Sequence, residues 1–319
     1  MKDSNTLNRR IFFASAAAAW SAARATAAPR TRLLTPEKFK TALAGPILSI
    51  PTVFTADYGL DHEGLRNMIE RALKGGVQVY ALTKGNSMYD NLSYDEVKQL
   101  TRTMVDAVGG RGITIAATGA WWTGQAVDYA RYAESVGADA VQVLIPQAPD
   151  DGLVRHFEAI AKSTRLGLVL HGQPSLGLLP RLLAIESLVA MKEEFTTDYT
   201  VPIYQEFGSR LSIFAGGTKA RLLNYRPYGM NAYYSAFATF APKIAMRFWR
   251  AVERNDTAEE RNVILKYDSP FFLRWNHGFW RATLEHFGVA KRYLRPPDLS
   301  FSDTQMKEVR DFYVKLGLG

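Results

Sequence analysis

The sequence predicts a (β/α)8 barrel followed by a helical extension. Two observations carry that prediction. From Pro46 onward, eight short apolar runs bounded by Gly, Pro or polar residues alternate with amphipathic segments. After about Arg254 the strand-like runs stop and only helical patterns remain. Short runs without polar alternation suit parallel strands buried on both faces. Parallel strands need crossover helices, and eight such units close without an exposed edge. An open doubly wound sheet is the competing fold. The first run is not followed by a Gly-x-Gly-x-x-Gly turn, which weakens its dinucleotide-binding version.

The expected strands are Ile47–Thr55, Gln78–Thr83, Ile113–Gly119, Ala140–Pro146, Gly167–Gly172, Leu188–Glu193, Leu211–Gly216 and Asn231–Ala236. Between them, Asp61 is placed to cap a helix with Leu65, Ile69 and Leu73 on one face. Ser93-Tyr94-Asp95-Glu96 spells a capping box. Thr123 is expected to cap the next helix, which carries Ala126, Tyr129, Ala130 and Ala133. Pro180 and Pro242 stand where a first helical turn begins. The extension, residues 255–319, reads as three helices, Thr257–Phe272, Gly278–Phe287 and Ser302–Leu316, with Pro296-Pro297 breaking the chain before the last. Its aromatics, Phe271, Phe272, Trp275, Phe279, Trp280 and Phe287, read as packing against the barrel and a partner subunit.

Residues 1–28 read as an address, which leaves 29–254 for the barrel. Arg9-Arg10 precedes Ile11-Phe12-Phe13, an Ala-rich stretch and a small-residue zone ending at Ala28. That is the layout of a twin-arginine export signal, so a periplasmic or otherwise exported protein is expected. The apolar centre, interrupted by Arg24, is too short for a membrane span, and the mature chain is expected off the membrane.

With 319 residues, 47% hydrophobic and 22% charged, the chain has material for one large barrel. Its composition includes no cysteine, which excludes disulfides and thiol chemistry. The five histidines show no His-Glu-x-x-His spacing, and no metal or cofactor is implied. The net charge is +8, of which +3 belongs to the first 27 residues. The remaining basic residues are dispersed among acidic ones, so nucleic acid is not an expected partner. A modest positive field suits an anionic small molecule.

In such barrels the chemistry lies at the C-terminal ends of the strands. Those places hold Lys84, Gly85, Asn86, Ser87 and Tyr89 after the second strand, Trp121 and Trp122 after the third, and Gln147 after the fourth. They hold His171 and Gln173 after the fifth, Lys192 and Glu193 closing the sixth, Gly216 closing the seventh with Lys219 beyond it, and Tyr234 in the eighth. Lys192 ends the apolar run Leu188-Val189-Ala190-Met191. A desolvated lysine loses proton affinity and becomes an amine able to condense with a ketone. Spacing alone favours a solvent-facing lysine paired with Glu193 or Glu194. Lys84 and Lys219 are rivals, each expected to be less buried. Trp121-Trp122 offers a flat surface for a sugar or aromatic ring, or simply packs its loop. Gly85-Asn86-Ser87-Met88-Tyr89 lacks the second glycine of a nucleophile elbow, and Gly119–Gly124 lacks the lysine of a phosphate loop.

The order of features resembles the dihydrodipicolinate synthase / N-acetylneuraminate lyase family from about Gly45 to Gly317. Gly45-Pro46 and Pro51-Thr52 resemble its opening. Ile115-Ala116-Ala117-Thr118-Gly119 resembles its third strand; Gly137-Ala138-Asp139-Ala140, Pro146 and His156-Phe157 resemble its fourth unit. Val189-Ala190-Met191-Lys192-Glu193 resembles the strand that bears its Schiff-base lysine. The resemblance implies Lys192 as the imine-forming residue, a homo-oligomer (tetramer or dimer), and a lyase, hydratase or dehydratase acting on a 2-oxo acid or sugar-acid derivative.

Departures accompany it. The family's Gly-Thr-Thr-Gly-Glu loop is here Lys84-Gly85-Asn86-Ser87-Met88, which leaves Asn86, Ser87 and main-chain N–H groups as donors. Ala148 replaces the family's catalytic tyrosine, and His171-Gly172-Gln173-Pro174 replaces its Tyr-Asn-x-Pro. Proton transfer then falls to His171, Tyr89 or Tyr234. Gly85, Asn86, Ser87, Trp121, Trp122 and Gly216 are the expected substrate contacts. Two other readings remain open: a barrel that binds a ligand without imine chemistry, and an acid–base enzyme using His171 and Glu193.

Overall fold

The first strand starts at Gly45 and ends at Ser49, sooner than its apolar run suggests. Pro51 is the reason: it has no N–H to continue a ladder. In the computed structural model, which describes residues 34–318, seven further strands follow. They are β2 (Val79–Ala81), β3 (Ile113–Ala117), β4 (Ala140–Leu144), β5 (Gly167–His171), β6 (Leu188–Glu193), β7 (Ser212–Ala215) and β8 (Ala232–Tyr234), after β1 (Gly45–Ser49). All pair in parallel and in sequence order, and β8 bonds back to β1 to close the barrel. The export reading of residues 1–28 lies outside the described residues.

Side chains alternate across each strand. Ile47, Val79, Ala81, Ile113, Ile115, Ala140, Val169, Ala190, Phe214, Ala232 and Tyr234 form the inner core. The intervening residues, such as Leu48, Tyr80, Ala116, Val141, Leu170 and Met191, belong to the layer between barrel and helices. Phe39 and Leu43, from and just after a short helix at Pro36–Ala42, join the inner core and plug its N-terminal end. Thr35 caps that helix through the Lys38 N–H and Pro36 opens it. With one end plugged, the accessible end is the one where the strands finish.

Local signals explain most helix starts. The Asp61 carboxylate accepts the Gly64 N–H, and Ser93 and Glu96 form the reciprocal capping box. The expectation for Thr123 is corrected. Trp122 occupies the cap position and Thr123 is already helical, its hydroxyl turned 3.0 Å from His156 Nδ1. The first expected helix of the extension is one helical run with a π segment at Ile264–Asp268 between Thr257–Val263 and Ser269–Leu273. Helices His277–His286 and Asp303–Lys315 complete it. Phe271, Phe279, Trp280 and Tyr313 are buried in the same core as the barrel's outer layer, which is the packing role expected of the tail aromatics towards the barrel.

Candidate active site

Lys192 is the fifth residue of β6 and shares its inward face with Ala190. Its side chain is 6% exposed, so the amine lies within the barrel mouth and not in bulk water. His171, last residue of β5, is the register partner of Lys192. Gly172 follows with φ of 124°, a conformation that glycine adopts freely, and the chain leaves the strand there. Lys192 Nζ lies 3.1 Å from His171 Nε2 and 2.8 Å from the Glu194 carboxylate, which is itself 3.5 Å from the same imidazole nitrogen. The aromatic face of Tyr234 covers the amine, with 5.1 Å between Nζ and the ring centroid.

The three titratable groups are coupled. Burial pulls the Lys192 amine below its ordinary range, and Glu194 partly opposes it. Burial likewise lowers His171, so its imidazole is neutral at neutral pH. For Glu194 burial favours the acid form. The hydrogen bond from His171 and the charge of Lys192 outweigh it and hold the carboxyl at about 2. Glu194 remains 41% exposed, so it is the wet side of the cluster. Gly216 makes room for it. A Cβ at that position would stand 2.4 Å from Glu194 Cγ and 2.5 Å from its Oε1.

Behind His171 lies a dry polar network. The Tyr234 hydroxyl donates to Gln142 Oε1 at 3.0 Å. Gln142 Nε2 lies 3.2 Å from Thr83 Oγ1 and 3.3 Å from His171 Nδ1. Gln142, Thr83 and Tyr234 are all buried.

Other expected residues fall elsewhere. The Tyr89 hydroxyl is committed to the Ala117 carbonyl at 3.0 Å and its ring stacks on Trp121, so it is not the proton donor at Lys192. Trp121 also packs edge-on against Tyr94 and Tyr129, while Trp122 is 73% exposed at the start of its helix. Ser87 is fully buried, donating to the Ile50 carbonyl and accepting from Thr83 N–H, which pins its loop and leaves it no free donor. Asn86 reaches the inward-facing Ser49 hydroxyl at 2.7 Å, and Gly85 stands exposed beside it. Glu193 points outward to the Phe195 N–H, Thr200 and Arg221, which removes it as an acid–base partner for His171.

Neither rival lysine fits. Lys84 pairs with Asp90 at the surface. Lys219, expected to be the less buried, is 1% exposed. The extension covers it and its amine is ion-paired with Asp268, whose second oxygen accepts the Lys219 N–H.

The model of the dihydrodipicolinate synthetase family matches residues 42–315. The chain belongs to that family. A protein of Rhizobium meliloti (strain 1021) named a probable 5-dehydro-4-deoxyglucarate dehydratase is 30% identical over 284 residues, covering 83% of this chain and 93% of its own. Another so named, from Delftia acidovorans, is 26% identical over 302 residues, covering 89% and 99%. Among solved structures, dihydrodipicolinate synthase from Aquifex aeolicus superposes with a TM-score of 0.78 at 22% identity, covering 86% of this chain and 98% of that one. N-acetylneuraminate lyase from Mycoplasma synoviae gives 0.77 at 18% identity, covering 86% and 98%. These likenesses establish the barrel fold, and family membership makes the chain an enzyme of the lyase or dehydratase kind.

Two residues of this family member escape sequence reading, and the setting of a third differs from the one expected. Glu194 follows the strand and is one of two carboxylates expected beside a solvent-facing Lys192; the pair forms, with the lysine buried. Gln142 is a lone amide inside the apolar run Ala140–Leu144, and its inward register was the available signal. Arg281 lies far along the chain, yet its fully buried guanidinium donates to the Thr52 and Asn86 carbonyls at 3.0 and 3.2 Å and so ties together the loops after β1 and β2. Burial lowers it to about 9, which still leaves it charged at neutral pH.

Proposed function

We propose that this enzyme is a lysine-imine dehydratase or lyase of a 2-oxo acid carrying a hydroxyl β to its ketone. The observation that supports it is the Lys192 amine, desolvated at the barrel mouth and held between His171 and Glu194. The names of the relatives denote a six-carbon dicarboxylate with a ketone beside one carboxylate, then a methylene, then a hydroxyl-bearing carbon. That arrangement suits imine chemistry. The neutral amine adds to the ketone, and the resulting carbinolamine loses water to give an iminium. The iminium acidifies the methylene, and loss of a proton gives an enamine whose electrons expel the β-hydroxyl as water. Hydrolysis of the product imine regenerates Lys192.

Glu194 is the group placed to carry the proton from the methylene to the departing hydroxyl. The His171 hydrogen bond that lowers its pKa persists, but the positive charge at residue 192 that adds to the lowering disappears as iminium becomes enamine, so its proton affinity climbs at the step in which it holds the proton. His171 assists water loss at the carbinolamine. Asn86, Gly85 and the main chain of their loop, with Arg281 behind it, favour the anionic end of the substrate. The leader layout supports export, and the family supports association of subunits; N-terminal sequencing of the secreted protein and light scattering test these two points.

Turnover on a panel of 2-oxo acids with and without a β-hydroxyl tests the reading. Substrates with the hydroxyl are converted by the wild-type enzyme and not by Lys192→Ala. Undiminished turnover in Lys192→Ala would replace the imine with acid–base chemistry, and tight binding without turnover of any acid would leave a ligand-binding barrel.

A further inference from the structure

We propose that Gln142 is a positioning residue that fixes the ring proton of His171 on Nε2 and thereby holds Lys192 as the neutral amine. Its catalytic meaning rests on the imine reading above. The amide has one acceptor and one donor end. Tyr234 donates its hydroxyl to Oε1, so the amide nitrogen is turned towards Thr83 and His171. A nitrogen that can only donate requires Nδ1 of His171 to accept. The single proton of the neutral imidazole then resides on Nε2.

Nε2 faces Lys192 Nζ at 3.1 Å and the Glu194 carboxylate at 3.5 Å. An ammonium at Nζ would set N–H against N–H. A neutral amine instead offers its lone pair to Nε2–H while donating to Glu194 at 2.8 Å. The titratable groups around the amine are His171 from β5, Glu194 beyond β6 and Tyr234 from β8. Glu194 favours the ammonium, and the imidazole N–H shares its carboxylate and weakens that pull. Gln142, Thr83 and Tyr234 are buried, so water does not compete for these hydrogen bonds and the amide orientation is held. Tyr234 consequently acts through Gln142, in addition to covering the amine.

The test combines two readouts. In unliganded protein labelled with ¹⁵N-histidine, His171, identified by the signal lost in His171→Gln, is expected to carry its proton on Nε2. In Gln142→Glu the new carboxylate accepts from Nδ1–H, the tautomer switches, and Nε2 accepts from a Lys192 ammonium. The pH midpoint of borohydride-trapped imine then rises by about one unit and trapping at pH 7 falls about tenfold, with recovery at alkaline pH. Gln142→Leu, which adds no buried charge, gives a smaller upward shift. A proton on Nδ1 of wild-type His171, or an unmoved midpoint in both folded variants, would overturn the proposal. If the wild-type protein traps no 2-oxo acid the imine reading fails, and the tautomer measurement still decides the role of Gln142.

Discussion

Replacing Gly216 with alanine should move the Lys192 titration by way of Glu194. The new Cβ would lie 2.4 to 2.6 Å from Glu194 Cγ, Oε1 and Cδ, well inside van der Waals contact. Glu194, 41% exposed, can rotate into solvent, and its 2.8 Å contact with Lys192 is lost. Two unit charges about 4 Å apart attract by about 1 kcal/mol in water and about 4 kcal/mol at an effective dielectric of 20. Solvent at the exposed carboxylate screens this pair towards the lower end, about 1–2 kcal/mol. At 1.36 kcal/mol per unit, the Lys192 pKa falls by about one unit. The assay is the rate of imine trapping against pH. Gly216→Ala and Glu194→Gln should both shift the onset to lower pH by similar amounts. A shift in Glu194→Gln alone would mean that Glu194 does not lie over Gly216, and no shift in either would mean that the ion pair is not formed.

Further outcomes follow from burial and partners. Lys219→Met strands the buried Asp268 carboxylate and should cost about 3–5 kcal/mol in urea unfolding, whereas Lys219→Met/Asp268→Leu should recover most of it; additive losses would deny their pairing. Trp122→Ala should leave KM within about twofold, because an isolated exposed ring contributes little, and a large rise in KM would make it a substrate contact. The Glu194 carboxyl sits at about 2 in the folded chain against an ordinary 4.5, so its contribution to stability is complete above 4.5 and is lost as pH falls towards 2. Acid unfolding curves should therefore converge for wild type and Glu194→Gln in that window, and curves that stay parallel would contradict the depressed value.

The barrel was legible because its strands are buried on both faces and write themselves as apolar runs, and because Asp61 and Ser93 mark helix starts by their own side chains. Strand ends were less legible: the β1 run continues past Pro51, where hydrogen bonding cannot. Lys192 and His171 were found because a strand-end position and alternation suffice to aim them. Tyr89, Ser87 and Trp121 satisfied the same positional rule but spend their polar or aromatic groups on the barrel's own loops and helices, a choice set by neighbours distant in sequence. Gln142 and Arg281 were missed for the converse reason. Each acquires its role only through partners that the closed barrel or the extension brings to it, and Lys219 is buried by a helix 49 residues away.

The decisive measurement is reduction with borohydride in the presence of a 2-oxo acid, followed by mass spectrometry of the digested protein. A single adduct on the peptide containing Lys192, absent from Lys192→Arg, is the expected result. Conversion of the acid with no adduct, or an adduct on Lys84 or Lys219 in its place, would contradict it.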